Sequence, residues 1–340
     1  MFACSPPAPV SATRATASPV AIPLEGAIGR YVGTFDIGGE SFGLAIDTGS
    51  ELIAVASPAC TTCGQDGTTA YYTPGPHAKA LHRQIRNAYD EGQFGWTGDA
   101  YLDTVTAGDD SAPTVVFAMT DESSMVAIGD GVHADGLIGL AGDGATNWLD
   151  GLAHTGVPDV FALRKCKTTG TLWVGGYDDA GSAMYVDTTP SYDVALHRIA
   201  IGSARIELPQ GTMAAVDSGT AGLVLPQPAF DAVVAELDRD PFFSGWFGSA
   251  AAWFAKAGCE PLPLPAVLDR LPPITIELDG ISLTLPAAES YAMPWGDEVC
   301  SVLAARDNYV SIGDLPMRSN VVIFDRARHR MGFAPATRCE

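Results

Sequence analysis

Basic residues are scarce in this chain. Its 340 residues hold 19 Lys and Arg against 40 Asp and Glu, a formal net charge of −21. That balance speaks against nucleic acid as a partner, because phosphate binding needs clustered cationic side chains. Long apolar runs are missing too: no stretch approaches the roughly 20 residues that a membrane helix requires. The 6 histidines show no H-E-x-x-H or other ligand spacing, and the lone C-x-x-C, Cys60 to Cys63, has no second pair near it. No metal and no cofactor are therefore expected. No G-x-S-x-G elbow between a strand and a helix is expected, since Gly39-Glu-Ser-Phe-Gly43 runs from the Gly38–Gly39 turn into an alternating strand, which speaks against the usual serine hydrolase. Gly129-Asp-Gly-Val-His-Ala134 has two glycines of a dinucleotide loop but no βαβ pattern around it, and is read as a turn.

The chain does have a globular composition, 47% hydrophobic and 17% charged, in a length that allows two domains. Its 37 Gly and 24 Pro favour turns and short strands over long helices. The most telling feature is a duplication. Residues 42–50 read F-G-L-A-I-D-T-G-S and residues 212–220 read T-M-A-A-V-D-S-G-T. Each is an apolar, strand-like run ending in Asp, a hydroxyl residue, Gly and another hydroxyl residue. Asp47 and Asp217 lie 170 positions apart (217 − 47), half the chain. The repeat goes further. Asp135-Gly-Leu-Ile-Gly-Leu places Gly139 92 residues after Asp47, and Val310-Ser-Ile-Gly-Asp places Gly313 96 residues after Asp217. Glycine at such points permits a close backbone pass that a side chain would block. The duplication points to two related lobes, each offering one carboxylate to a shared site. Two carboxylates held together cannot both ionise easily, so they can share a proton and act as acid and base at once.

Residues 1–21, rich in Pro, Ala, Ser and Thr, read as a flexible leader. The start Met1-Phe-Ala-Cys4 has two readings of equal weight: the remnant of a lipoprotein signal, with a lipid anchor through Cys4, or an ordinary start with an incidental cysteine. Folded sequence is expected from about Ile22. One hairpin turns at Gly38–Gly39 and another at Asp279–Gly280, each between alternating apolar positions. Late strands are expected at Val321–Asp325 and Arg330–Phe333. Two helices are expected, from Pro228 to about Leu237 and over Asn147–Ala153. Cys60 and Cys63 sit in a Pro/Thr/Gly loop, where a small structural disulfide is favoured over free thiols or a redox pair.

Together these segments resemble the pepsin family of aspartic proteases, over about residues 22–338. Tyr31-x-Gly33-x-x-x-Ile37-Gly38 resembles the family's opening hairpin, and Asp47-Thr48-Gly49-Ser50 and Asp217-Ser218-Gly219-Thr220 its two catalytic signatures. Asp135–Ala141 and Ile312-Gly313-Asp314 resemble the segments threaded behind the aspartates. Leu172–Asp178 resembles the inter-lobe strand, and Phe324–Ala327 through Gly332–Pro335 the C-terminus. The resemblance implies an all-β fold of two pseudo-twofold-related lobes, 22–187 and 188–340, with a central cleft. It implies an endopeptidase with an acidic optimum and a preference for bulky hydrophobic residues at the scissile bond.

By the same resemblance Asp47 and Asp217 would be catalytic, holding a water between them. Ser50 and Thr220 would donate to the outer carboxylate oxygens. Thr48 and Ser218 would reach across the lobe interface and lock the two turns, while Gly49 and Gly219 would let the turns pass close to the carboxylates. Ala88–Val105 resembles the flap hairpin that closes over substrate, with Tyr89 as its substrate-binding tyrosine. Ala54 departs from the pattern, since many relatives have there a Trp that bonds the flap tyrosine. The resemblance also implies disulfides Cys259–Cys300, Cys60–Cys63 and Cys166–Cys339. With only Arg14 and Arg30 before Tyr31, no basic pro-segment stands out, and activity without its removal is expected. A polypeptide substrate, a monomer and an extracytoplasmic location complete the expectation. The alternative is a weak or inactive pepsin-like protein that binds or inhibits without cutting. A paired-carboxylate glycosidase is disfavoured by the matched Gly and hydroxyl context.

Overall fold

Alternation of apolar and polar residues builds the first hairpin. In the strand Arg30–Ile37 the buried positions are Tyr31, Gly33, Phe35 and Ile37, and in Glu40–Asp47 they are Phe42, Leu44 and Ile46. Gly38 and Gly39 make the turn at φ 62° and 95°, a left-handed conformation that only glycine adopts without strain. The hairpin Ile274–Leu278 with Ser282–Leu285 repeats the device, turning at Gly280 with φ 71°. The computed structural model describes residues 18–336 except 28, 64–67, 90–93, 124–131, 143–146, 179–181, 257 and 262–264.

Among the described residues the largest sheet has 13 strands and draws on both ends of the chain. It begins with Met184–Asp187, Arg330–Pro335, Asn320–Asp325, Phe161–Lys165, Thr169–Val174 and Val20–Ala27. It continues through Arg30–Ile37, Glu40–Asp47, Gly136–Gly139, Ile53–Ala56, Asp110–Ser123, Phe94–Ala107 and Lys79–Tyr89. Strand begins at Val20, inside the stretch read as leader, because Val20 finds a partner in Val174. A five-stranded sheet in the second half is organised around Asp193–Ile201. The first and second halves of the chain are joined by stacked rings: Phe161 lies on Phe324 at 4.4 Å, with Tyr192 edge-on to both.

The helix expected from Pro228 runs over Gln227–Arg239, with Ala229, Val233, Val234 and Leu237 buried. The other covers Trp148–His154, and its cap is Asn147, whose side chain accepts from the Leu149 amide at 2.8 Å. Helices Pro241–Phe247 and Ala250–Ala255 were not expected from the sequence. Disulfides join Cys60 to Cys63 and Cys259 to Cys300. Cys4 and Cys339 lie outside the described residues, and the Cys166–Cys339 pairing with them. Among the described residues no helix is long and apolar enough to cross a membrane.

Candidate active site

Each Asp-hydroxyl-Gly-hydroxyl turn is held from behind by a crossing strand. Glu40–Asp47 pairs parallel with Gly136–Gly139, Asp47 against Gly139. In the second half Ala215 and Ser311 form the equivalent parallel bridge. A Cβ on Gly139 would stand 2.6 Å from the Ser50 carbonyl oxygen, and one on Gly313 2.7 Å from that of Thr220. The glycines are thus required by the closeness of the turns they support.

The two turns are bolted to each other. The Thr48 amide donates to Ser218 Oγ at 3.0 Å, and the Ser218 amide to Thr48 Oγ1 at 2.8 Å. Thr48 Oγ1 donates to the Val216 carbonyl at 2.9 Å and Ser218 Oγ to that of Ile46 at 2.7 Å. All four bonds are buried and nearly symmetric, so neither turn can shift without the other. The carboxylates are served in the same mirrored way. Asp47 accepts from the Gly49 amide at 2.9 Å and Ser50 Oγ at 2.6 Å. Asp217 accepts from the Gly219 amide at 2.8 Å and Thr220 Oγ1 at 2.6 Å. Each glycine also faces the opposite acid: a Cβ on Gly49 would meet the Asp217 carboxyl carbon at 2.5 Å, and one on Gly219 the Asp47 Oδ1 at 2.8 Å. The two acids therefore lie together at one point of the lobe interface. Burial, then the Asp217 charge, raises the Asp47 carboxyl from 3.8 to about 7.

Tyr89 ends the strand Lys79–Tyr89, which pairs with Phe94–Ala107 as a hairpin whose tip, residues 90–93, lies outside the described residues. Burial and the Asp47 charge push its hydroxyl up to about 12, so it stays protonated. The missing Trp at Ala54 is made good from within the hairpin. Trp96 Nε1 donates to Tyr89 Oη at 3.2 Å, and its buried indole packs with Ala54, Ala56 and Phe117. Asn87 Nδ2 donates to the same oxygen at 2.8 Å. Two acceptor positions are thereby filled, and the tyrosine proton is left to donate. Trp96→Phe keeps the packing and removes the donor. The expected result is a twofold to tenfold loss of kcat/KM on a peptide, about 0.5–1.5 kcal/mol. Steady-state kinetics that match the wild type would discount the indole. A cavity of ≈ 540 Å³ lies under this hairpin, walled by Gly49, Ser50, Leu52, Asn87, Tyr89 and Phe117.

Three side chains missed from the sequence also border the site: Trp96, Tyr309 and Lys165. Tyr309 Oη donates to Asp217 Oδ2 at 3.1 Å. Lys165 is buried beneath the second turn, its Nζ 2.5 Å from the Ser218 carbonyl and 3.3 Å from Asp314 Oδ2. Trp96 lay within the hairpin read as the flap, where its indole N–H was a visible donor. No local pattern marked the other two.

An acid pair made by two mirrored turns, at the junction of two β lobes, places the chain in the class of bilobal aspartic proteases. It belongs to the eukaryotic aspartyl protease family, whose model matches residues 30–336. It is similar to an aspartic protease of Phaffia rhodozyma, 26% identical over 324 residues, covering 91% of this chain and 77% of that protein. Pepsin A of Gallus gallus is 24% identical over 329 residues, 90% of this chain and 84% of its own length. Pepsin-2B of Gadus morhua is 24% identical over 336 residues, covering 90% and 96%.

Proposed function

We propose that this aspartic protease cuts polypeptides at acidic pH with a water held between Asp47 and Asp217. The observation that carries the reading is the mutual locking of the two turns, which sets each carboxylate against the other turn's glycine. One acid, ionised, takes a proton from the water as its oxygen bonds the scissile carbonyl carbon. The other, protonated, gives its proton to the carbonyl oxygen. The first then passes its proton to the leaving nitrogen as the carbon–nitrogen bond breaks, and the diol proton returns to the second. Tyr89 covers an extended peptide, and the apolar side of the cavity, Leu52 and Phe117, favours bulky hydrophobic residues at the scissile bond. Two disulfides fit an extracytoplasmic site of action, and we take the working unit to be a monomer.

The chemistry needs one proton on the pair. With the Asp47 carboxyl raised to about 7, activity is lost as pH rises through that value, and the optimum lies below it. The test is hydrolysis of a peptide library across about pH 2–8, with kcat/KM read at each pH. A descending limb near neutrality and cuts beside bulky apolar residues are the expected results. Tight binding of peptides without any cleavage would favour the alternative of a non-cutting binder.

A further inference from the structure

The hydrogen bonds within the two acid turns are matched, but the segments that support the turns differ. Gly313 stands behind Asp217 as Gly139 stands behind Asp47. Four residues earlier in each segment come Tyr309 and Asp135. In the first half Asp135 turns away from the dyad: Oδ2 accepts from the Gly43 amide at 2.8 Å, and Oδ1 from the Thr69 and Ala70 amides at 2.7 and 2.8 Å. In the second half the equivalent position sends a phenol hydroxyl to the outer oxygen of Asp217, at 3.1 Å. That oxygen already receives Thr220, so Asp217 collects three donors, counting the Gly219 amide. Among the described residues Asp47 receives two such donors, the Gly49 amide and Ser50, and its other hydrogen-bonding neighbour is Asp217 itself.

We propose that Tyr309 is the positioning residue that breaks the dyad's symmetry, holding Asp217 ionised and leaving the proton to Asp47. The assignment rests on the proteolytic reading above and deepens it. A donor aimed at a carboxylate oxygen favours the charged form, and charge-assisted bonds are about twice as strong as neutral ones. Of the other groups around Asp217, the Asp47 charge opposes its ionised form and Lys165 favours it. Asp47 faces it across the interface, and its repulsion means that one of the pair takes a proton. Lys165 comes from below on the Ser218 carbonyl, itself flanked by Asp314 and Arg318. Tyr89 faces Asp47 from the hairpin. The burial and charge that raise Asp47 agree with its being the protonated member. Asp217 is then the base that takes the water proton and later delivers it to the leaving nitrogen. Asp47 is the acid that protonates the carbonyl oxygen and recovers its proton from the diol.

Tyr309→Phe isolates the hydroxyl. Tyr309 is 41% exposed, so the substitution does not disturb the core. Purified wild type and variant are compared in kcat/KM on one peptide across about pH 2–8. Without its third donor, the charged form of Asp217 loses one hydrogen bond. The ascending acid limb should move up by about half to one pH unit, with the descending limb in place. An acid limb that does not move, or a descending limb that moves instead, would overturn the assignment while leaving the protease reading intact. A wild type that cleaves at no pH would remove the protease reading and this inference together. A ring acting only as scaffold would change KM or thermal midpoint and not the limb.

Discussion

Exchanging either acid of the dyad for its amide, Asp47→Asn or Asp217→Asn, is expected to lower kcat/KM on a peptide by at least about 10³-fold with the fold preserved. The amide keeps the shape of the carboxyl group and its carbonyl oxygen can still accept from the neighbouring glycine amide. It cannot take a proton from water or pass one to the leaving nitrogen. Single-turnover cleavage at the wild-type optimum is the measurement, with circular dichroism as the check on folding. Either variant retaining a tenth of the wild-type rate would end the dyad mechanism. The same Asp47 substitution has an opposite effect on stability. Because its folded carboxyl titrates near 7 rather than 3.8, the native protein binds that proton more tightly than the unfolded chain. The stabilisation this gives is full below about pH 3.8 and lost as pH rises through about 7. At neutral pH the wild type holds the acid pair at a disadvantage that Asn does not share. Asp47→Asn should therefore be more stable there, by on the order of 1–2 kcal/mol, and not at acid pH. Urea unfolding at both pH values reads the difference.

How far the sequence could be read follows from where the information lies. The hairpins at Gly38–Gly39 and Gly280 were legible because strand alternation and turn glycines are local signals. The two acid turns were legible because the chain states them twice, each followed by a supporting glycine at a similar offset, 92 and 96 residues. The helix Pro241–Phe247 was not, because its aromatics do not keep to one face: Phe243 is buried while Trp246 is 49% exposed. Ala54 marked a missing partner for Tyr89, but not its replacement. Trp96 reaches Tyr89 across the hairpin ladder, where Asn87 pairs with Trp96, and that register is set by the fold. Tyr309 sits in an irregular segment before Ser311, and only the parallel bridge to Ala215 brings it to Asp217. Such contacts are made by chain crossing, and no spacing along the sequence announces them.

Lys165 is the extreme case, since a lysine closing a strand reads as a solvated end. Here it is fully buried at the end of Phe161–Lys165, beneath the turn that carries Asp217. Burial drives its amine below the ordinary lysine range, against the pull of Asp314. The group nonetheless has good partners: the Ser218 carbonyl, Asp314 Oδ2, and the face of Tyr31 at 4.6 Å. Removing one member of a buried pair costs about 3–5 kcal/mol, because the partner left behind keeps its desolvation penalty. Lys165→Met fills most of the same space and strands Asp314 and the Ser218 carbonyl. Arg318 still bonds Asp314 at 3.1 Å, which sets the expected loss near the lower end, about 3 kcal/mol in chemical denaturation. Because the Ser218 carbonyl belongs to the turn whose hydroxyl and amide lock Thr48, the same change should loosen the dyad and lower kcat. Pairing it with Asp314→Asn would leave the Arg318 guanidinium, 11% exposed, without its carboxylate, so the double variant should be no more stable than the single one while kcat stays low. A single variant as stable as the wild type would mean that the lysine bears no part of the support of the second turn.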